Sequence, residues 1–250
     1  MLYACGEPKT DMDHALELSI RYHNAGHAPV RGRTMKLIVV WDVPTRLFHW
    51  LTVILVVATY VTWRLDWMFW HAYAGIAMLA LVVFRLLWGF FGSETALFAR
   101  FLAAPRLALR QLANLFRREP DRWIGHNPAG GWMVMLLLVL LLFEALTGIY
   151  IDNDIAEVGP LTSVTPAPVA DLISTLHQVL WQALLAAAVA HILAVAVYWV
   201  AKRQNLVLPM ITGCKTMPPG VRQPAQAGAL RALVSLGCGI LIAAAVAKFL

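Results

Sequence analysis

The chain has 250 residues, 60% of them hydrophobic and only 14% charged, with a mean hydropathy of +0.67. That balance excludes an ordinary soluble domain and points to several membrane spans. The net charge of +6 is not a nucleic-acid signature, because the arginines cluster between apolar runs, where membrane topology accounts for them.

Residues 1–34 are polar and mixed, without the basic-then-apolar order of a cleaved signal peptide. They are expected to form a weakly ordered extension, or to precede a start at Met35, where Met-Lys-Leu-Ile-Val-Val-Trp-Asp begins. His14, His23 and His27 fall in this extension and carry no assignment. Five apolar runs follow: about Arg46 to Trp63, Trp67 to Phe91, Gly130 to Tyr150, Val169 to Val200, and Ala227 to Leu250. Each is near the ~20 residues that cross a hydrocarbon core of ~30 Å. The fourth is longer and should tilt or project. The expected fold is therefore an all-α membrane bundle of four helices plus a fifth C-terminal helix. Its expected units are an extension over 1–34, a transmembrane domain over 35–216, and a linker with the last helix over 217–250.

Arg31, Arg33, Lys36 and Arg46 precede the first span. Arg100, Arg106, Arg110, Arg117, Arg118 and Arg122 fill the second loop, and Lys202, Arg203, Lys215 and Arg222 follow span four. The third loop instead carries Asp152, Asp154, Glu157 and Asp171. The positive-inside rule then places the N-terminus in the cytoplasm and the C-terminus in the periplasm of a bacterial inner membrane. Trp63, Trp67, Trp70 and Trp199 sit near span ends, as interfacial aromatics do. Two readings stand for the arginine-rich loop: an amphipathic helix on the inner leaflet, or a plain connection. Cys5, Cys214 and Cys238 are scattered, so unpaired thiols are expected. The absence of C-x-x-C-H excludes covalent c-type haem.

His177 and His191 lie fourteen residues apart in the fourth span. On a helix that spacing brings both imidazoles to one side, about 21 Å apart along the axis. His49 near the inner end of span one and His71 near the outer end of span two are partners at matching depths. The pairs are then His71 with His177 and His49 with His191, each suited to a six-coordinate haem iron that moves electrons. His71, Gly75, Met78, Val82, Arg85 and Gly89 recur on one face of span two. Both glycines remove bulk where a macrocycle could approach. Arg85 and Arg46 are candidate propionate contacts at the inner haem, and Arg64 at the outer. The bland readings are interhelical hydrogen bonding for the histidines, packing for the glycines and snorkelling for Arg85. His126 is either a surface loop histidine or a proton or quinone contact, and Asn127-Pro128 should open span three. Glu144 inside span three needs a partner: a neighbouring hydrogen bond, or a quinol whose proton it accepts.

Taken together in order, several short motifs resemble the bacterial cytochrome b561 family, which includes the cytochrome b subunits of membrane nickel–iron hydrogenases. They are Arg46-Leu47-Phe48-His49-Trp50, His71-Ala72-Tyr73-Ala74-Gly75, Arg85-Leu86-Leu87-Trp88-Gly89 and Gly125-His126-Asn127-Pro128. His177 with His191, Lys202-Arg203-Gln204-Asn205-Leu206 and Met210-Ile211-Thr212-Gly213 complete the set, over about 36–216. The resemblance implies a four-helix core holding two b-type haems by histidines matching His49, His71, His177 and His191. It also implies electron transfer between quinone and a periplasmic dehydrogenase, hydrogenase or c-type cytochrome, with no catalytic residue of the chain's own. Two other classes are a self-contained superoxide- or quinol-oxidising oxidoreductase of the same fold, and a metal or solute transporter. Turnover without a partner subunit marks the first; a colourless, zinc-loaded preparation marks the second.

Overall fold

A computed structural model of the chain describes residues 35–115, 123–151 and 166–248. The extension 1–34 with its histidines and Cys5, the loop arginines 117, 118 and 122, the acidic residues 152, 154 and 157, and Leu250 lie outside the described residues. In chain order the elements are β1 (Lys36–Val39), α1 (Val43–Arg64), α2 (Met68–Phe91), α3 (Phe98–Phe101), α4 (Pro105–Ala113), α5 (Pro128–Gly148), α6 (Ala167–Ala201), α7 (Val207–Thr212), β2 (Cys214–Met217) and α8 (Ala229–Ala247). Five of these, α1, α2, α5, α6 and α8, are long and apolar enough to cross a membrane. The all-α membrane architecture expected from the sequence is what is found. The small β1–β2 sheet was not anticipated.

Local chemistry sets the helix starts. Asp42 caps α1, its carboxylate accepting from Thr45 N–H at 2.7 Å, with proline in the first turn. Asn127 caps α5 the same way, accepting from Gly130 N–H at 2.7 Å ahead of Pro128, as its sequence suggested. The α1–α2 turn is short and uses Asp66 at φ 57°, a left-handed conformation that aspartate tolerates better than most residues.

The helices associate unevenly. α1 packs along α2, α6 along α5, and the two pairs join through an α2–α5 seam. α1 and α6 never come into close backbone packing; they meet through side chains such as the stacked rings of Tyr60 and Trp181, 5.7 Å apart. Among the described residues the most extensive helix pairing is α2 with α8. Small residues at every fourth position of α8, Ser235, Gly239 and Ala243, are buried there and let the backbones approach closely. A Cβ on Gly239 would lie 2.5 Å from the Ala80 carbonyl oxygen. The linker before α8 is clamped as well. Arg222 donates twice to the Glu94 carboxylate at 2.7 Å, and Ala225 N–H donates to it at 2.9 Å. The Ala225 N–H, together with Arg222, holds Glu94 below the usual carboxylate range.

At the basic end β1 pairs antiparallel with β2, Lys36 opposite Met217 through Val39 opposite Cys214. Gly213 at φ 85° ends α7 and turns the chain into β2; its carbonyl accepts from Val40 N–H at 2.8 Å and Trp41 N–H at 3.0 Å. A side chain at that position would be strained and would meet the Trp41 carbonyl. Part of the arginine-rich loop is helical, as α3 and α4; α4 exposes Arg106 and Arg110 together with Leu107, Leu109 and Leu112. Cys238 is an exposed free thiol. The expectation of three unpaired cysteines fails at Cys214, which is disulfide-bonded.

Gly239→Leu should lower the detergent-phase melting temperature by an overpacking penalty of about 1–3 kcal/mol. Gly237→Ala, where a Cβ meets nothing within 4 Å, should be neutral or slightly stabilising. Equal melting shifts in the two variants would show that α8 does not rest on α2.

Candidate functional site

Because α1 and α6 stay apart, the bundle interior is open toward the end opposite the sheet. A cavity of about 460 Å³ lies there, within the ~300–1,000 Å³ typical of ligand sites. His71 and His177 both line it, with Thr59, Gly75, Glu144, Gly148 and Trp181 among the other walls. The imidazoles are oriented by their surroundings. His71 Nδ1 stands 2.9 Å from the Thr59 carbonyl oxygen, which only accepts, so Nδ1 donates there and Nε2 is the ring nitrogen left for another partner. His177 Nδ1 stands 2.9 Å from Thr147 Oγ1. The Thr147 hydroxyl also reaches the Phe143 carbonyl at 2.7 Å. The Glu144 carboxyl stands 3.3 Å from His177 Nε2, so both ring nitrogens of His177 have a neighbour that fixes the ring. Gly75 contributes open space, since a Cβ there would meet nothing within 4 Å, whereas Gly148 lies directly beside the His177 ring.

Toward the sheet end a second group gathers. His49 and His191 lie within electrostatic reach of each other. His126 senses both of them and Arg85. Burial pushes the His126 imidazole down to about 3, with the charges of Arg85, His191 and His49 acting in the same direction. It is therefore neutral, and its ring packs between Trp41 and Phe101 at centroid distances of 4.6 and 5.0 Å. Arg85 is 2% exposed and lies over the Phe98 ring at 5.2 Å. Three buried atoms in this group, His49 Nδ1, His126 Nδ1 and Arg85 Nη1, have no hydrogen-bond partner. Orphaned buried polar atoms are costly, and their convergence marks a place shaped for a group with acceptors of its own.

Between the two groups sits an apolar plug of Met78, Val82, Leu141 and Leu184, one from α6, one from α5 and two from α2. Leu184 is seven residues from each α6 histidine, so it divides the interior midway.

Other residues expected at the site are employed differently. Arg46 Nη1 donates to the Ile211 carbonyl at 2.5 Å, while Trp50 Nε1–H donates to the Met210 carbonyl at 3.2 Å. Both pin α7 to α1, and the buried Arg46 Nε has no hydrogen-bond partner. Arg64 stands at the exposed outer end, over the Trp63 ring at 5.7 Å, and is not among the cavity-lining residues. Gly89 does not face a cavity; the Phe98 ring fills the space its missing side chain leaves. Thr59, Thr147, Gly148 and Asp42 were missed from sequence. Asp42 joins the two inner helix ends, accepting from Trp88 Nε1–H at 3.0 Å while it caps α1. A threonine three residues after an intramembrane glutamate was a readable signal; a backbone carbonyl as histidine acceptor was not.

A family model for the prokaryotic cytochrome b561 matches residues 40–213. The chain belongs to that family. It is a multi-pass membrane b-type cytochrome of electron transfer, and it binds b-type haem. No curated protein and no solved structure matches it significantly. The donor set fits the group the family carries: two imidazoles lining an apolar cavity, and an unsatisfied buried guanidinium suited to a carboxylate.

If the outer cavity receives a haem face, Gly75→Phe should lower haem content, read as pyridine haemochromogen per protein. Gly75→Ala should leave it nearly intact, because the small Cβ meets open space. Full haem retention in the phenylalanine variant would exclude this cavity.

Proposed function

We propose that the chain is a di-haem cytochrome of the bacterial inner membrane that carries electrons between quinone and a redox partner. The partner is a periplasmic dehydrogenase, a hydrogenase subunit or a c-type cytochrome, and the chain works as an electron-carrying subunit of a respiratory oxidoreductase. One observation carries the reading: paired imidazoles at both ends of an interior that α1 and α6 leave open, divided by an apolar plug. His71 and His177 would hold the outer haem, and His49 and His191 the inner. When bound, haem would supply the one-electron chemistry. The chain supplies position and electrostatics.

In this reading His71 and His177 would hold the outer group, with Glu144 beside them in the cavity wall. Arg85 gives its free Nη1 to a carboxylate of the inner group. Arg46 would contribute its unpartnered Nε, and Arg64 would have to leave Trp63 to take part. His126, neutral and beside the inner pair, is the candidate hydrogen-bond contact for a quinone; Glu144 holds the equivalent place at the outer end. The basic end, with the sheet, α3, α4 and α7, lies on the cytoplasmic side, and α8 runs back toward the periplasm. Residues 35–216 form the electron-carrying domain, and α8 adds a lipid-facing buttress.

The purified chain should show two b-type haems by pyridine haemochromogen. His191→Ala should lose about half of them and keep the outer site, because one missing axial imidazole empties only its own site. Full haem retention in that variant would sink the inner assignment. A metal-loaded, haem-free wild type would sink the whole reading.

A further inference from the structure

We infer that α4 is a docking site for an anionic phospholipid, its phosphate held by Arg106 and Arg110 and its acyl chains lying against flanking leucines.

The sequence of α4, Pro-Arg-Leu-Ala-Leu-Arg-Gln-Leu-Ala, mixes two chemistries, and the bundle fixes which side faces inward. α4 packs on α5 with Ala108 buried. Gln111 Nε2 donates to the Tyr198 hydroxyl at 3.0 Å, and the side chain of Asn127, the α5 cap, donates to the same hydroxyl. Trp132 Nε1–H, from the start of α5, donates to the Ala103 carbonyl just ahead of α4 at 3.0 Å. Asn127 opens one membrane span and Tyr198 lies in the last turn of another. These contacts hold α4 at the level where two spans leave the lipid.

The arginines occupy the opposite side. Arg106 and Arg110 are four residues apart, so they share a face turned away from Ala108, with Cβ atoms about 5–6 Å apart. One phosphodiester can accept from both guanidiniums, and such charge-assisted bonds are strong. Both side chains are exposed. Neither enters the ion pairs found among the described residues, which are Glu144 with His177 and Glu94 with Arg222. Arg100 of α3 differs, because its charge already acts on Glu94.

The leucines decide the class of partner. Leu109 and Leu112 fill one flank, 66% and 54% exposed, and Leu107 the other, 40% exposed. So much apolar surface on nine residues is costly in water and is accommodated by acyl chains. A free phosphate or a soluble acidic protein would satisfy the arginines and leave the leucines wet. A phospholipid answers both. The reading above puts this end at the inner leaflet, where anionic lipid attracts basic helices. The bound lipid also steadies the cover over the inner histidine group, because α3, directly ahead of α4, sets Phe101 against His126 and Phe98 beneath Arg85.

The test is native mass spectrometry of the full-length, haem-loaded chain in detergent, titrated with dioleoyl phosphatidylglycerol or dioleoyl phosphatidylcholine. Wild type should bind phosphatidylglycerol more tightly. Arg106→Gln and Arg110→Gln should each weaken that binding about fivefold, and the double variant roughly thirtyfold, the scale set by one cationic side chain at an anionic surface. Phosphatidylcholine binding and the haem mass carried should match wild type in all three. Leu109→Ser with Leu112→Ser should weaken both lipids alike. Arg231→Gln, which removes an exposed charge at the start of α8, should leave the phosphatidylglycerol affinity in place. Equal losses in Arg231→Gln and Arg106→Gln would overturn the site in favour of bulk charge. Displacement of the lipid by inorganic phosphate or by poly-glutamate would overturn it in favour of a small anion or an acidic protein. Equal affinity of wild type for the two lipids would overturn it outright.

Discussion

Everything at the site depends on two helices whose backbones are kept apart. In a bilayer, apolar side chains gain little by leaving lipid for each other, so association rests on close van der Waals fit and on polar contacts. α2 has both kinds of fit. Its Ala80 side receives the small-residue stripe of α8, and its Met78–Val82 side receives α5. α1 and α6 each take one neighbour and leave a gap between them. Tyr60 against Trp181 bridges that gap toward the outer end, and Leu184 against Met78 and Leu141 braces it in the middle. The interior is held open at two depths by packing at the depth between.

The inner end is closed by polar contacts, because it is where the chain enters and leaves lipid. Asp42 is the busiest of these residues: it caps α1, accepts from the fully buried Trp88 and lies within the field of Arg85. Arg46 and Trp50 reach the carbonyls of α7, and Gly213 then hands its carbonyl to the backbone of Val40 and Trp41. Tyr198 of α6 receives Gln111 from α4 and Asn127 from the α5 cap. The two-stranded sheet sits across this set, with Ile38 and Met217 buried beneath it. Single substitutions at Asp42 or Arg46 therefore act on several elements at once.

The bundle was legible in the sequence because membrane spans are written as long apolar runs, and five of these read directly. The depth order of the histidines followed from helix arithmetic, and the structure brings His71 near His177 and His49 near His191. The Asn127-Pro128 cap was readable for the same local reason. Other features depend on which face of which helix meets a neighbour, and spacing alone does not carry that. Gly75 and Gly89 look equivalent in sequence, yet one faces a cavity and the other a phenylalanine ring. Arg46 looked free for a carboxylate and instead gives its Nη1 to a carbonyl more than 160 residues later in the chain. The β1–β2 pair joins segments separated by nearly the whole bundle, and each strand is only four residues long, too short for a periodic signal. Cys214 had no spacing motif to announce its bond.

The two ends of the interior also differ in how their imidazoles are held. His71 Nδ1 reaches the Thr59 carbonyl and His177 Nδ1 the Thr147 hydroxyl, each at 2.9 Å. Threonine suits the second place because one hydroxyl can reach both the helix backbone and a histidine, as Thr147 does with Phe143 and His177. A serine keeps that double reach and a valine loses it. At the sheet end His49 Nδ1 and Arg85 Nη1 are buried without a hydrogen-bond partner. One hydroxyl and one carbonyl, set against bare buried nitrogens, thus distinguish the two halves of the bundle.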